Sequence, residues 1–265
     1  MNTSYPTPDG TFIADPERQK KAAAYLSKGR NPQDEETDLI SQYVGKDSVY
    51  VDVGANIGTI AIPIAKLVKR VDAFEPVKEN RDLLEENIKA NDVGNITIHP
   101  VALGRERGRV SLAPHSDDDA WTYTVKEGDD VELVPLDTVL TSADFIKVDV
   151  EGYELEVLQG ARELIRTSKP LILFEVSMIQ LRKRGDWWLT QVSRELKSSG
   201  YFLYVPRQNQ PLERVRSVAW TLFKLSPKAF LFGKLAYTIS LLAVPSEKTS
   251  MIATTKSHSL KSVRP

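Results

Sequence analysis

The chain has 265 residues and a formal net charge of −1 at pH 7, so its length suits one large α/β domain with appendages, and no charge excess indicates nucleic acid or an anionic membrane as a partner. It contains no cysteine, which excludes disulfides, thiolate metal sites and cysteine nucleophiles and fits a cytoplasmic protein. Its polar start differs from a signal peptide, and its longest apolar run, residues 229–244, is interrupted by Lys234 and predicts no transmembrane segment.

The N-terminal extension, residues 1–45, is polar and helical in pattern. Residues 20–26 are rich in Ala and Lys, and Pro32 with the acids at 34–36 opens a second helix, as the first turn of a helix prefers. At the other end of the chain, residues 248–265 are rich in Ser, Thr and Lys and are predicted to be disordered.

Residues 46–247 form the predicted core domain, in which short apolar runs alternate with helical patterns. This alternation predicts βαβ units, a mainly parallel sheet and helices on both of its faces. A polar loop is expected from residue 114 to residue 130. The predicted strands cover residues 48–53, 70–74, 95–103, 145–150, 170–176, 201–205 and 239–244, and two extra strands, 110–112 and 131–134, flank the polar loop. The main helices cover residues 57–68, 78–91, 155–164 and 187–196.

The strongest local motif runs from Asp52 to Gly58, after a strand and before a helix. Gly54 would let the backbone turn sharply towards a ligand, and Gly58 would let helix and strand pack closely. Asp52 would repel a pyrophosphate but attract the ammonium or sulfonium group of S-adenosylmethionine. Asn56 stands where a dinucleotide-binding motif needs its second glycine, which disfavours the alternative of an NAD-dependent oxidoreductase.

An acidic residue, Glu75, closes the second predicted strand of the core. A carboxylate at that strand end can accept hydrogen bonds from both hydroxyls of a ribose. The alternative is a structural turn followed by a surface glutamate. The order of turn and acid favours a bound nucleoside.

A second motif, residues 145–154, is a buried strand that runs into Asp149, Glu151 and Glu154. Ligands of open α/β sheets bind at this carboxyl edge. Here the sequence resembles the FkbM family of S-adenosylmethionine-dependent methyltransferases. The resemblance is carried by the Asp52–Gly58 turn, Phe74-Glu75-Pro76, the block 146–154 with Gly160-Ala161 after it, and Glu175 at the end of the next strand.

This resemblance implies a Rossmann-like, seven-stranded class I methyltransferase sheet whose last strand is antiparallel. It implies S-adenosylmethionine as the cofactor, held by Asp52, Gly54, Asn56, Gly58 and Glu75. It also implies methylation of a hydroxyl, often on a saccharide or natural product, while an amine or carboxyl acceptor stays open. A binding module without activity would have a broken cofactor turn, and this turn is intact.

Methylation of a neutral hydroxyl requires removal of its proton, and a general base contributes roughly 10²–10⁴-fold. The candidates are Asp149, Glu151 and Glu175, because clustered carboxylates raise one another's pKa. The same cluster could instead hold a divalent cation, which would acidify a sugar diol. In a third interpretation, Glu151 and Glu154 cap the following helix.

The acceptor is expected at the polar loop 114–130. Trp121 and Tyr123 would pack on a sugar ring, and the acids at 117–119 would accept its hydroxyl hydrogen bonds. His115 in this loop is a further candidate base, whereas His99 is interpreted as a packed strand residue. An ordinary surface insertion is the alternative, and the acceptor site would then lie within residues 207–237.

Overall fold

A computed structural model describes residues 1–116, 119–177, 186–206, 212–216 and 238–254. The chain divides into two compact units, Met1–Lys169 and Pro170–Pro265. Within the described residues, no helix combines the length and the apolar character that crossing a membrane requires.

The chain begins with an antiparallel hairpin of β1 (Thr3–Thr7) and β2 (Gly10–Ala14), which corrects the expectation of a purely helical extension. The tight turn is closed by Thr7, whose hydroxyl donates a 2.8 Å hydrogen bond to the carbonyl of Gly10. Thr-Pro-Asp-Gly is a turn sequence with a known mechanism, so the signal was present in the sequence. The helices α1 (Lys20–Leu26) and α2 (Asp34–Ser41) follow as predicted.

A parallel sheet forms the core of the first unit. Its strands pair in the order β10, β3, β4, β5, and every pairing among them is parallel. All four strands are short, and β3, β4 and β10 are almost entirely buried, which is typical of a sheet covered on both faces, whereas β5 at the end of this order is only partly buried. Their bounds are β3 (Val49–Val53), β4 (Arg70–Phe74), β5 (Ile96–His99) and β10 (Phe145–Val148).

The helices of the first unit are shorter than the sequence pattern predicted. Only α3 (Ala61–Ala65) forms where a helix over residues 57–68 was expected, and Gly160-Ala161 divides the helix expected over residues 155–164. The remaining helices are α4 (Lys78–Ala90), α5 (Glu154–Gln159) and α6 (Arg162–Ser168), and a 3₁₀ turn covers Leu136–Thr138.

A second sheet lies where the polar loop 114–130 was expected, so that expectation was wrong. Its strands pair in the order β6 (Ala102–Leu103), β9 (Val131–Val134), β7 (Gly108–Ser116) and β8 (Asp119–Glu127). The long β7–β8 hairpin alternates Val110 and Leu112 with polar residues, a period-two pattern that predicts a strand with one buried face. Residues 117 and 118 at its tip lie outside the described residues.

The second unit has an antiparallel strand set. The strand β14 (Thr238–Pro245) pairs antiparallel with both β11 (Leu171–Ser177) and β12 (Tyr201–Val205), and β12 pairs with the two-residue β13 (Glu213–Arg214). The antiparallel orientation expected for the last strand is therefore present. The helix α7 (Asp186–Ser198) precedes β12.

The predicted disordered tail begins with ordered residues. Ser246–Lys248 forms a 3₁₀ turn, and α8 (Thr249–Thr254) follows it. The hydroxyl of Thr249 donates a 2.9 Å hydrogen bond to the carbonyl of Ser246, and the N–H of Ser246 donates a 2.9 Å hydrogen bond to the carbonyl of Gly200. These bonds account for the order, and residues 255–265 lie outside the described residues.

Candidate active site

A cavity opens at the carboxyl ends of the parallel strands of the first unit. Its empty space amounts to about 790 Å³, part of which is open to solvent. The segments after β3, β4, β5 and β10, together with β7 and β8, form its wall. Its lining comprises Gln33, Val53, Gly54, Asn56, Phe74, Glu75, Pro76, Val77, Asn80, Val101, Ala102, Leu103, Leu112, Tyr123, Val125, Asp149, Val150, Glu151 and Tyr153.

The turn after β3 requires glycine at Gly54. Its φ is 82°, a left-handed conformation, and a Cβ at this position would overlap the carbonyl oxygen of Asp149. Only glycine therefore allows the turns after β3 and β10 to come together. Asn56 is also left-handed, with a φ of 51°, which asparagine tolerates better than most residues.

Glu75 lies on the cavity wall and fixes two backbone segments. Its Oε2 accepts a 2.8 Å hydrogen bond from the N–H of Asn56, and its Oε1 accepts a 2.9 Å bond from the N–H of Val77. Asn80 on α4 donates a further side-chain hydrogen bond to it. Burial outweighs these bonds and raises the pKa of Glu75 to about 7.

Lys147 is a buried cation between the two turns. Its Nζ lies 3.3 Å from Oδ1 of Asp52 and 3.4 Å from Oδ2 of Asp149, and it donates a 3.1 Å hydrogen bond to the carbonyl of Gly54. Parallel register explains the first contact, because Lys147 stands opposite Asp52 on the neighbouring strand. Burial raises the pKa of Asp52 above its ordinary value, and the positive charge of Lys147 offsets only part of this rise.

A tight turn follows β10 and holds Glu151 at the cavity. Glu151 has a φ of 54° and Gly152 a φ of 98°, and the N–H of Tyr153 bonds to the carbonyl of Val150 at 3.3 Å. A left-handed glutamate is strained, and such strain clusters at functional sites. Burial and, after it, the charge of Asp149 raise the pKa of Glu151 to about 7.

Glu154 stabilises this turn through hydrogen bonds to its backbone. This agrees with the interpretation that Glu154 has a structural role at the start of the following helix. Its Oε1 accepts hydrogen bonds from the N–H of Gly152 at 3.0 Å and of Val150 at 3.3 Å. The side chain is almost fully buried, and burial raises its pKa to about 8. Glu154 is therefore a structural acid beneath the site, and it does not line the cavity.

The N-terminal extension and the β7–β8 hairpin complete the cavity. Gln33 lines it just before α2, and the Gln33 side chain accepts a hydrogen bond from the hydroxyl of Thr59. Tyr123 on β8 lines it from the opposite side and accepts a side-chain hydrogen bond from Arg18. Glu36 on α2 interacts electrostatically with Asp149 and Lys147, and burial raises its pKa.

The structure brings five of the predicted site residues to the cavity: Gly54, Asn56, Glu75, Asp149 and Glu151. Asp52 is buried with Lys147, and Gly58, with a φ of 89°, packs against Leu84 of α4. Glu175 belongs to the second unit, where it is half-buried in β11 and stands opposite Ser240 of β14.

The predicted acceptor residues give a divided result. Tyr123 lines the cavity, but the side chains of His115, Asp119 and Trp121 and the acids at 117 and 118 lie outside the described residues. The alternative acceptor site would use residues 207–237, of which 207–211 and 217–237 also lie outside the described residues. His99 stacks on Phe74 with ring centroids 4.4 Å apart and bonds to Asp72 at 3.0 Å, as expected for a packed histidine.

The sequence motifs predict no role at the site for Lys147, Asn80, Gln33 or Glu36. Lys147 carried a usable signal, because a lysine within an otherwise apolar buried strand is rare unless a carboxylate pairs with it. Asn80 had none, since one asparagine on a polar helix does not stand out. Gln33 and Glu36 belong to the N-terminal extension, and they lie near the site only because of the way the extension folds, which no local sequence pattern shows.

Comparison with known proteins places this site in a family. The family model described as the methyltransferase FkbM domain matches residues 52–203. The curated hexuronic acid methyltransferase AglP of Haloferax volcanii is 34% identical over 139 residues, which are 49% of this chain and 56% of that protein. Protein MJ1452 of Methanocaldococcus jannaschii is 34% identical over 162 residues, which are 60% of this chain and 56% of that protein.

The chain thus spans a little over half the length of these curated relatives. Among solved structures, Trm5b of Pyrococcus abyssi superposes with a TM-score of 0.51 and 17% sequence identity, covering 92% of this chain and 55% of that one. At this level of identity the likeness concerns the fold alone. The family match covers more than half of the chain and includes both turns of the cavity, and the chain therefore belongs to the FkbM methyltransferase family.

Proposed function

We propose that this protein is an S-adenosylmethionine-dependent O-methyltransferase that acts on a hydroxyl of a saccharide or natural product. The charge of the cavity is the observation that carries the proposal. Glu75, Asp149 and Glu151 line it, and among the residues that the structure describes no Lys, Arg or His does. Such a lining favours a sulfonium donor with a net positive charge and disfavours the pyrophosphate of NAD.

The residues present fit an adenosyl donor. The buried Glu75 accepts backbone N–H bonds on both oxygens and a side-chain bond from Asn80, yet its carboxylate keeps one further lone pair that a ribose hydroxyl could use. The side chain of Asn80 also lines the cavity. Within the described residues, its buried Oδ1 has no hydrogen-bond partner, and a buried acceptor in that state is costly unless a ligand donor meets it.

When bound, S-adenosylmethionine supplies an activated methyl group, which transfers as the acceptor oxygen forms a bond to carbon and the carbon–sulfur bond breaks. The chain must then position the acceptor and take its proton. Asp149 and Glu151 are the carboxyls at the carboxyl end of β10, and a pKa of about 7 for Glu151 suits a base near neutrality. Glu175 of the second unit stays a prediction for the same role.

A divalent cation at Asp149 and Glu151 remains the alternative to direct proton transfer. An amine or carboxyl acceptor is the alternative to a hydroxyl. A saccharide is favoured because the curated relative is a hexuronic acid methyltransferase. The proposal also includes the seven-stranded methyltransferase sheet, and the antiparallel pairing of β14 with β11 and β12 supports it.

The test combines donor binding with a transfer screen. Calorimetry with S-adenosylhomocysteine should show one site per chain, and radiolabelled S-adenosylmethionine should label a member of a panel of neutral sugars, uronic acids and their oligomers. A label that survives mild alkali is an ether, whereas a labile label is a carboxyl ester. Tight NAD binding without any response to S-adenosylhomocysteine would refute the proposal.

The same assay separates the two catalytic alternatives. Asp149→Asn should lower turnover by at least about 100-fold if a positioned carboxylate is the base, with little change in donor affinity. Full loss of activity on chelation, with recovery in magnesium or manganese, would instead support the cation.

A further inference from the structure

Lys147 lies in an environment that stability alone does not explain. Its side chain is only 6% exposed, and that of Asp52 beside it is 1% exposed. Removing two charges from water costs several kcal/mol each, and buried pairs are often no more stabilising than apolar residues of the same volume. An apolar pair at these positions would satisfy the fold equally well.

The contacts of Lys147 instead connect two parts of the cavity. On one face of the sheet, the rings of Tyr50 and Phe145 lie 6.0 Å apart. Two residues further along the same two strands, this face carries the charged pair Asp52–Lys147. From this position the ammonium group reaches the carbonyl of Gly54 in one turn and Asp149 in the other.

We propose that Lys147 is the positioning residue of the site: it fixes the Asp149 carboxylate relative to the Gly54 turn, and Asp52 is its buried counter-ion. This inference rests on the proposed methyl transfer. It assigns Asp52 to Lys147 and thereby removes Asp52 from direct contact with the ammonium or sulfonium group of the donor. Those groups would then be met by Asp149 and Glu151, which line the cavity.

The charges of this cluster also suit the reaction. Lys147 with Asp52 and Asp149 carries one positive and two negative charges, a net charge of −1. The donor has a net charge of +1 through its sulfonium, and the thioether product has none. The cluster therefore attracts the donor more strongly than the product.

The first arm of the test needs no ligand. Asp52→Asn should lower the melting temperature by about 10 °C, because it leaves the ammonium group with one buried counter-ion fewer. In the background of Lys147→Met, the same substitution should change it by less than about 3 °C. Equal shifts in both backgrounds would show that Asp52 is not the counter-ion of Lys147.

The second arm measures turnover. Lys147→Met should lower kcat by at least about 10-fold, with a change in acceptor KM below about 3-fold. Adding Lys147→Met to Asp149→Asn should cost little more, because Lys147 acts through Asp149. Lys147→Arg should restore part of kcat, and Lys69→Met, at an exposed lysine, should match the wild type.

The positioning role would be overturned if Lys147→Met lowered kcat by the same factor in the wild type and in the Asp149→Asn variant, because the two residues would then act independently. If Lys147→Met yields too little folded protein, Lys147→Gln takes its place in both arms. Calorimetry with S-adenosylhomocysteine gives the active fraction of each variant. A wild type that neither binds S-adenosylhomocysteine nor transfers methyl would refute the proposed function, and the ligand-free arm would still decide the Asp52–Lys147 pairing.

Discussion

The backbone N–H of Asn56 donates a 2.8 Å hydrogen bond to Oε2 of Glu75, so the turn after β3 is fixed to the end of β4. A donor that bonds to Glu75 is therefore held by a group whose orientation is already determined. Replacing this glutamate affects the turn and the ligand together, and the two effects need separate variants.

Glu75→Ala should weaken S-adenosylhomocysteine binding by about 1–3 kcal/mol, because it removes a charged hydrogen-bond acceptor. Glu75→Gln keeps one oxygen and should weaken binding less. Calorimetry gives both affinities, and thermal unfolding shows how much the turn has loosened. Glu85→Ala, at an exposed position of α4, is the matched control. Unchanged affinity in Glu75→Ala would remove Glu75 from the donor site.

Donor binding should strengthen as the pH rises towards 7 and level off above it. Burial raises the pKa of Glu75 to about 7, and only its ionised form leaves a lone pair for a ribose hydroxyl beside the bonds it already accepts. Binding below pH 7 therefore releases a proton, and affinity should rise by at most about 10-fold per pH unit. Calorimetry from pH 5.5 to 8.5 in two buffers of different ionisation enthalpy measures both quantities.

Glu75→Gln should abolish this pH dependence. The pKa of Glu151 is also raised to about 7, so Glu151→Gln is the necessary comparison. Dependence that persists in Glu75→Gln and disappears in Glu151→Gln would assign the titrating group to Glu151.

The cavity shows how far sequence reasoning reached. The turn at Gly54 and the acid at Glu75 were predictable, because each directly follows an apolar strand and the carboxyl ends of parallel strands meet at one edge. The role of Asp52 was not, because it depends on which strand lies beside β3. The partner strand β10 follows about 90 residues later in the chain, and no local pattern gives the register that places Lys147 opposite Asp52.

The fold gives the same lesson at the β7–β8 hairpin. Residues 114–130 were interpreted as a loop between the strands predicted at 110–112 and 131–134, although the alternation of Val110 and Leu112 with polar neighbours continues as a strand to Ser116. The alternation is short, and the remaining order comes from pairing across the hairpin, such as that of Leu112 with Val125. Such pairs stabilise a sheet but become visible only when the register is known.

Glu154 should make the protein less stable as the pH rises. Burial raises its pKa to about 8 in the folded state, above the ordinary value near 4.5. The folded protein therefore keeps a proton that the unfolded chain loses, and this group reduces the free energy of unfolding by up to about 1.4 kcal/mol per pH unit between about pH 5 and pH 8.

Glu154→Gln removes the titration and keeps an acceptor for the N–H groups of Gly152 and Val150. The stability of this variant relative to the wild type should therefore increase between pH 5 and pH 8, its free energy of unfolding gaining at least about 1 kcal/mol on that of the wild type. Urea denaturation across this range measures the difference. Glu85→Gln should follow the wild-type curve, and a Glu154→Gln curve parallel to the wild type would show that Glu154 does not hold its proton.

Gly54→Ala should destabilise the protein by about 2 kcal/mol or more. A Cβ would overlap the carbonyl oxygen of Asp149, and the left-handed φ of 82° is unfavourable for alanine. Gly94→Ala is the matched control, because a Cβ there meets nothing within 4 Å, and its effect should stay within about 0.5 kcal/mol. Urea denaturation measures both, and equal stabilities would mean that the two turns can separate without cost.

Among the residues predicted to bind the acceptor, Tyr123 lines the cavity, and substitutions of Tyr123 therefore test the acceptor site. It lines the cavity from β8, opposite the donor turn, and Arg18 bonds to its hydroxyl. Arg18 and Tyr123 also border a second, more open depression, which shares Pro76, Val77 and Leu112 with the first. An acceptor entering through that depression would therefore pass the ring of Tyr123 before it reaches the methyl group.

Tyr123→Ala should raise the acceptor KM or lower kcat by about 10-fold while the dissociation constant of S-adenosylhomocysteine stays nearly the same, since loss of a stacking face affects the acceptor first. Tyr123→Phe keeps the ring and should change KM less, which separates stacking from the bond to Arg18. Trp121→Ala tests the neighbouring aromatic residue on the same strand by the same kinetics. Wild-type kinetics for both alanine variants would move the acceptor away from the β7–β8 hairpin, and substitutions within residues 207–237 would then be the next to measure.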